Sequence, residues 1–207
     1  MRFFEHCPIE KLIIQNKKVQ GVHTEDGRNF SADHVVMSCG AWSQHWSEQI
    51  QRKISVHPVQ GQMLLFKTPE NWLPTMCMNK VMYLIPRLDG HVVCGSSMAN
   101  CGFDTTPTAA TKQTILEACF EMVPELAAFP IVKQWAGLRP SSPTGVPYIG
   151  KMPELDNVWA NFGHFRNGLC MGPASARLLR QLILKQPTFL DPTAFCPTRL
   201  TTNTLTT

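Results

Sequence analysis

The feature that most constrains this chain is an apolar segment that leads into a glycine-bounded loop and then into a helical pattern. Residues 158–162 predict a short buried strand, and residues 163–168 read Gly-His-Phe-Arg-Asn-Gly. Glycine lets a backbone approach a ligand closely, and a helix N-terminus presents unpaired N–H groups at the positive end of its dipole. The loop therefore suits an anion or an electron-rich ring carbonyl. An ordinary strand-to-helix turn with a charged rim is the alternative interpretation.

The pattern after this loop predicts a helix with one buried face. That face consists of Leu178, Leu179, Leu182 and Ile183, whose spacing matches the helical period. Proline fits the first turn of a helix, where the N–H that it lacks would have no intrahelical partner. Pro173 therefore predicts a helix that begins close to this residue.

The rest of the chain predicts short strands and two further helices. Apolar patterns and turn signals place strands at residues 11–15, 18–23, 28–31, 34–38, 54–67, 81–86, 91–96 and 131–139, and helices at residues 42–50 and 108–122. The fold class that follows is α+β, with an antiparallel sheet over about residues 54–140 and the helix from Thr108 packed on it. The apolar strand before Cys39-Gly40 is typical of a parallel sheet in a nucleotide-binding fold.

Two side chains on predicted strands have the chemistry to bind a carboxylate. Arg139 stands at the end of an apolar strand, and its planar guanidinium matches two carboxylate oxygens. Tyr83, one of only two tyrosines, opens the segment Tyr-Leu-Ile-Pro-Arg. A structural ion pair for Arg139 and a core or interface position for Tyr83 are the alternatives.

Composition excludes several classes of protein. The chain is 43% apolar and 16% charged, which rules out a disordered chain. Its net charge of +4 is not gathered into a basic stripe with aromatic residues, so no nucleic-acid partner is expected. We expect a cytoplasmic protein with no membrane association, because no apolar stretch could span a bilayer and no signal peptide is recognisable. The eight cysteines include no C-x-x-C pair, and no metal site is expected.

Five stretches, in this order along the chain, resemble the flavin-dependent amine and D-amino acid oxidases, in particular the glycine oxidases of thiamine biosynthesis. The resemblance extends over about residues 1–190. The stretches are VVMSCGAWS at 35–43, PVQGQ at 58–62, YLIPR at 83–87 with DG at 89–90, WAGLRP at 135–140 with GVPYIG at 145–150, and GHFRNG at 163–168.

This resemblance implies that the cofactor is FAD and that the substrate is a small amino acid or amine. It implies that Arg139 holds the substrate carboxylate, that Tyr83 assists it, that Met98 lines the pocket, and that Arg166 lies beside the substrate. The residues implied to contact FAD are Ile9, Gly40, Trp42, Gly163, His164, Phe165, Arg166, Asn167, Gly168, Leu169 and Cys170.

The reaction implied by the resemblance is hydride transfer from the amino-acid Cα to the flavin. Oxygen then reoxidises the flavin and becomes hydrogen peroxide, and the imine is hydrolysed to a 2-oxo acid and ammonia. No protein group is needed as a general acid or base when the amine enters neutral. No catalytic residue is therefore assigned.

The chain departs from the family in two places. Val81 stands where the glycine oxidases carry a histidine two residues before the tyrosine, so the identity of the amine stays open. The G-x-G-x-x-G motif that holds the pyrophosphate has no match, because no two of the thirteen glycines are two residues apart. We therefore expect a chain that lacks the first half of a discontinuous FAD-binding domain.

This expectation divides the chain into four parts. Residues 1–50 and 146–190 form an incomplete α/β FAD-binding domain, residues 51–145 a substrate domain, and residues 191–207 a tail that frays from Thr198. Apolar strand edges are expected to be exposed along residues 9–14 and 35–38. The alternatives are a truncated remnant that cannot bind FAD alone, and a flavoprotein of the sarcosine oxidase or D-amino acid dehydrogenase type. Homo-oligomerisation stays open.

Overall fold

Strands dominate residues 1–200, the part of the chain that the computed structural model describes. The strands are β1 (Ile9–Gln15), β2 (Lys18–Thr24), β3 (Asn29–Ser31), β4 (Val35–Met37), β5 (His57–Lys67), β6 (Cys77–Met78), β7 (Tyr83–Pro86), β8 (His91–Gly95), β9 (Ile131–Ser141), β10 (Tyr148–Lys151) and β11 (Val158–Phe162). The α-helices are α1 (Ala109–Met122) and α2 (Gly168–Ile183). The chain divides into one unit of residues Pro58–Arg139 and another formed by the residues before and after it.

β1 and β2 form a hairpin whose tight turn sets its register. Asn16 and Lys17 have φ values of 51° and 60°, as both central residues of a type I′ turn require. Gln15 consequently pairs with Lys18, and β3 joins the other side of β2. β1 is an edge of this antiparallel sheet, and Ile14 is 40% exposed, as predicted for this edge.

A second sheet of the same unit has the strand order β10-β11-β4. β4 and β11 are parallel neighbours, which confirms the prediction of a parallel strand before Gly40. β4 is an edge of this sheet, and its Val36 is 43% exposed. The predicted exposure along residues 35–38 is therefore present at Val36 and Ser38, whereas Met37 is buried at 3% exposure.

Asn157 connects the two sheets of this unit. Its side-chain amide donates to the Val19 carbonyl at 2.7 Å and to the Asp33 carbonyl at 2.8 Å. Its side-chain oxygen accepts the Val19 N–H at 2.8 Å. Asn157 is 3% exposed, so its side chain satisfies backbone groups that water does not reach.

Helix α2 begins earlier than the sequence predicts. It starts at Gly168 after a 3-10 helix at Phe165–Asn167, so Pro173 lies inside the helix and not in its first turn. The proline removes only the N–H that would bond to the Leu169 carbonyl in the first turn, and the helix continues past it. Leu178 and Leu179 are buried, as predicted.

The unit of residues Pro58–Arg139 is a sheet of order β6-β7-β8-β5-β9 with α1 packed on one face. The pairs β6–β7, β7–β8 and β5–β8 are antiparallel, which confirms the α+β class with an antiparallel sheet. The Thr108 hydroxyl accepts the Thr111 N–H at 3.2 Å and caps α1 where the sequence places its start. The assignment of this unit to the substrate, and of the other to FAD, stays a prediction.

Residues 198–200 do not fray, contrary to the prediction. Pro197–Arg199 is a 3-10 helix, and Leu200 is 2% exposed in the core that contains Val158. The Leu200 carbonyl accepts a hydrogen bond of 2.5 Å from Arg52, which ties this segment to the core. The other residues that were expected to fray, 201–207, lie outside the described residues. Among residues 1–200, no helix combines the length and apolar character that crossing a membrane requires.

Candidate functional site

The segment after β11 turns sharply into α2. Gly163 has φ +83°, a left-handed conformation that glycine adopts without strain. The backbone then passes through the 3-10 helix Phe165–Asn167. Arg166, Asn167, Leu169 and Cys170 are exposed, and the Leu169 side chain is almost wholly so at 94%.

The N-terminus of α2 has no side-chain cap. Asn167 makes no capping hydrogen bond, and the first turn contains no acidic residue. The first N–H groups of a helix lack intrahelical partners and carry partial positive charge. This end of α2 can therefore stabilise an electronegative group that is brought against it.

Gly40 and Trp42 lie at the same end of the β10-β11-β4 sheet as Gly163. The parallel strands β4 and β11 pair Met37 with Ala160, so both leave the sheet in the same direction. Gly40 has φ +56° and opens a 3-10 helix, Gly40–Trp46, in which Trp42 is 50% exposed. The fold thus brings together these predicted FAD contacts at the carboxyl ends of parallel strands, where α/β sheets bind ligands.

Ile9 belongs to the other sheet of this unit. It is the first residue of β1, is partly buried, and pairs with Thr24. Its backbone contact to the adenine side of the cofactor stays a prediction.

His164 is held in place by α2. Its Nε2 and the Ser175 hydroxyl oxygen are 2.9 Å apart. Burial lowers the pKa of His164 below the ordinary value of 6.5, because desolvation disfavours the imidazolium. His164 is therefore neutral at pH 7 beside the start of α2.

Acidification is expected to destabilise the fold through His164. Its pKa is lower in the folded chain than in the unfolded chain, so the unfolded state binds more protons once the pH falls below about 6.5. The contribution of neutral His164 is complete above that pH and is lost as the pH falls toward the folded-state pKa. His164→Gln should flatten the dependence of the free energy of unfolding on pH between about 7 and 5, measured by urea denaturation. The exposed histidine variant His57→Gln is the control, and equal slopes for His164→Gln and the parent chain would contradict the prediction.

In the other unit, Arg139 lies flat against β5. Its Nη2 donates to the Ser96 hydroxyl at 2.6 Å, and its Nη1 donates to the Ser97 carbonyl at 3.2 Å. A Cβ added to Gly61 would lie 2.1 Å from both Nη1 and Nη2. The absence of a side chain at residue 61 therefore makes room for the guanidinium. The two serine contacts fix the direction of its terminal nitrogens, Nη1 and Nη2.

Tyr83 and Met98 lie in the same unit as Arg139. Tyr83 pairs with Gly95 across β7 and β8. Met98 follows Ser97, whose carbonyl accepts from Arg139, and is 60% exposed. Three of the residues predicted to bind substrate are thus arranged around the β5–β8 part of one sheet, while Arg166 belongs to the other unit.

Sequence reasoning did not assign a role to Ser96, Ser97 or Met63. The Ser97 hydroxyl accepts the Gln62 N–H at 2.9 Å, and the Tyr83 hydroxyl donates to Met63 Sδ at 3.4 Å. The sequence offers one signal for these residues, the PVQGQ stretch at 58–62, which indicates that β5 belongs to the site. This stretch does not indicate which side chains contact Gly61.

The family model described as FAD dependent oxidoreductase matches residues 1–182. The chain is 43% identical over 193 residues to glycine oxidase of Pseudomonas putida, which covers 93% of this chain and 53% of that protein. It is 32% identical over 183 residues to the bifunctional protein ThiO/ThiG of Nostoc sp., which covers 86% of this chain and 27% of that protein.

A solved structure has a similar fold. The crystal structure of glycine oxidase from Geobacillus kaustophilus matches with a TM-score of 0.86 and 25% identity, over 97% of this chain and 53% of that chain. The chain therefore spans about half the length of the glycine oxidases that it matches.

Proposed function

The chain belongs to the family of FAD-dependent oxidoreductases, and we propose that it forms the amino-acid site and part of the flavin site of an oxidase for glycine or another small amino acid. The observation that carries the proposal is the position of the Arg139 guanidinium, which Ser96 and Ser97 orient against β5. A guanidinium with a fixed orientation suits two parallel hydrogen bonds to a carboxylate.

In the proposed site, Arg139 binds the carboxylate and so fixes the direction of the amino acid. Tyr83 adds a hydroxyl donor to the same carboxylate. Met98 presents an exposed thioether side chain, which suits the wall of a pocket for a small side chain. Such positioning lowers the barrier to hydride transfer, because the entropy of aligning the Cα–H bond is lost when the substrate binds and not in the transfer step. The role of Arg166 beside the substrate, which the family resemblance implies, stays a prediction because Arg166 belongs to the other unit.

The residues present fit the ring end of a flavin. The uncapped N-terminus of α2 offers N–H groups and a positive dipole to the N1–C2=O edge of the isoalloxazine, where negative charge develops. FAD, when bound, supplies the acceptor for the hydride that leaves the substrate Cα. The chain contains no G-x-G, so the pyrophosphate cradle typical of the family is not among its residues.

No side chain has to remove a proton when the amine enters neutral. The hydrogen on Cα would then leave with both bonding electrons as hydride, and the nitrogen lone pair would form the C=N bond of a protonated imine. Water would hydrolyse this imine to a 2-oxo acid and ammonia in its protonated form. Oxygen accepts the two electrons and two protons and becomes hydrogen peroxide. The task of the protein is therefore to orient the substrate and to stabilise charge.

A place in thiamine biosynthesis is part of the same proposal. It is supported by the resemblance to the glycine oxidases of that pathway and by the similarity to the bifunctional protein ThiO/ThiG of Nostoc sp.. The proposal extends to other small amines because Val81, which is 65% exposed, stands in place of the histidine of the glycine oxidases.

The test is amine oxidation by the protein isolated from its native source, in the form in which the cell holds it. Glycine, sarcosine and D-alanine are each supplied with oxygen, and hydrogen peroxide and the 2-oxo acid are measured. We expect equal amounts of peroxide and glyoxylate from glycine. A protein that forms neither product from any of the three would contradict the proposal.

A second measurement concerns the 207-residue chain by itself. The recombinant chain is mixed with FAD, separated from unbound FAD by gel filtration, and examined for visible absorbance. Retained absorbance would show that this chain binds the cofactor alone. A colourless chain beside an active native protein would show that the flavin site needs residues outside this sequence, as the remnant alternative requires.

A further inference from the structure

One face of the sheet in the unit Pro58–Arg139 is turned away from α1. Leu64 on β5 and Leu84 on β7 pack with the α1 residue Ile115. Because successive side chains of a strand alternate between faces, Met63 and Tyr83 point to the opposite face. Both are partly buried.

On that face, Met63 crosses from β5 toward β7. Met63 pairs with Gly95 on β8, and Gly95 pairs in turn with Tyr83 on β7. A Cβ added to Gly95 would lie 2.4 Å from Met63 Sδ, so the methionine occupies the space that the glycine leaves open. Its sulfur thereby comes within 3.4 Å of the Tyr83 hydroxyl, which donates to it.

The same side chain stands next to the position of Arg139. Gly61 precedes Met63 by two residues on β5 and therefore lies on the same face, and the Arg139 guanidinium covers it. Met63 thus contacts Tyr83 and lies two residues along β5 from the glycine that the Arg139 guanidinium covers.

We propose that Met63 is a positioning residue that directs the Tyr83 hydroxyl in the amino-acid site; this inference rests on the proposed function. A phenolic hydroxyl has one hydrogen to donate, so Tyr83 has to leave Met63 Sδ when it donates to a substrate carboxylate. A thioether is a weak acceptor, which keeps the cost of that exchange small. Without this acceptor no hydrogen bond has to be broken, and the carboxylate binds more tightly.

The test uses Met63→Leu, which keeps the volume and removes the acceptor. In the native protein we expect KM for the amino acid to fall about threefold, with kcat little changed, because one weak hydrogen bond no longer has to be broken on binding. Gly95→Ala, which pushes the Met63 sulfur aside, should have the same effect by an independent route. The control is Met122→Leu, a partly buried methionine on α1, at the opposite face.

A double-mutant cycle separates positioning from a general structural effect. In a Tyr83→Phe background, Met63→Leu should leave KM unchanged, because the hydroxyl through which it acts is gone. A full and additive effect of Met63→Leu in that background, or no effect in the parent protein, would overturn the inference.

A readout independent of activity is available because the chain has only two tyrosines. With tyrosine labelled by ¹³C at Cζ, Met63→Leu should shift the NMR signal of Tyr83 and leave that of Tyr148 in place, and an unmoved Tyr83 signal would overturn the inference. If Arg139→Met leaves KM unchanged, the proposed function fails and the inference falls with it. If Arg139→Met raises KM while Met63→Leu leaves it unchanged, only the inference falls.

Discussion

Gly61→Ala is expected to weaken amino-acid binding nearly as much as removal of the Arg139 guanidinium itself. The added Cβ would lie 2.1 Å from both terminal nitrogens of Arg139, so the guanidinium has to leave its position. Its hydrogen bonds to Ser96 and Ser97 then break. Two charged hydrogen bonds to the substrate carboxylate correspond to a rise in KM of about 100-fold or more in the native protein.

The fold should tolerate this substitution, which separates the predicted effect from unfolding. The atoms that the new Cβ meets are the far end of a flexible side chain, and Arg139 can swing away without moving the β5 backbone. We expect the free energy of unfolding to change by only about 1 kcal/mol. Arg139→Met gives the reference value for complete loss of the guanidinium.

Gly137→Ala provides the matched control on the same sheet. A Cβ at Gly137 meets no atom within 4 Å, so both KM and stability should stay close to those of the parent protein. If Gly61→Ala retains the parent KM, the guanidinium does not bind the carboxylate from the position seen in this structure. The proposed function would then lose the observation that carries it.

Asn157→Ala is expected to cause the largest loss of stability. The substitution removes two donated hydrogen bonds and one accepted one, and it leaves the Val19 N–H and two backbone carbonyls without that partner. A buried polar group left without a partner costs about 1–3 kcal/mol, so the sum is on the order of 4 kcal/mol. Urea denaturation followed by circular dichroism measures it.

Asn161→Ala, four residues further along, is the control for the loss of an asparagine. The Asn161 side-chain oxygen is buried and has no hydrogen-bond partner among residues 1–200, so removal of its side chain should cost far less. Similar losses for the two variants would mean that Asn157 acts through packing alone. Its proposed role in joining β2 to the segment before β4 would then be wrong.

Much of the secondary structure is predictable because its signals are local. The turn at Asn16-Lys17 lies between the two strands predicted on either side of it, and α1 begins after Thr108, where the sequence places its start. The start of α2 was predicted wrongly, because the preference of proline for a first turn is only a preference. Nothing around Pro173 signals that the helix already begins at Gly168.

The sequence predicts which side chains of the candidate site can bind a carboxylate, but not the contacts that hold them. Arg139 and Tyr83 were singled out because their side chains suit a carboxylate and because the stretches around them resemble a family. The contact of Arg139 with Gly61 was not predicted, because these residues lie far apart in the sequence and only strand pairing brings them together. Met63 and Asn157 carry no local signal at all, because the role of Met63 depends on the Tyr83 hydroxyl and that of Asn157 on backbone groups that the fold places beside it.

The sequence by itself determined the family, the α+β class and the side chains able to bind a carboxylate, since residue type and local periodicity encode these. Only the tertiary structure decided how those side chains are held. Gly61 makes room for a guanidinium, and Gly95 makes room for the thioether that meets Tyr83. The loop of residues 163–168 shows the same division: its glycines predict a tight turn, whereas the parallel pairing of β4 with β11 places Gly40 and Gly163 at the same end of the sheet. A glycine in the sequence shows only that no side chain occupies that position. The residue that fills the space is distant in sequence and becomes a neighbour only when the sheets form.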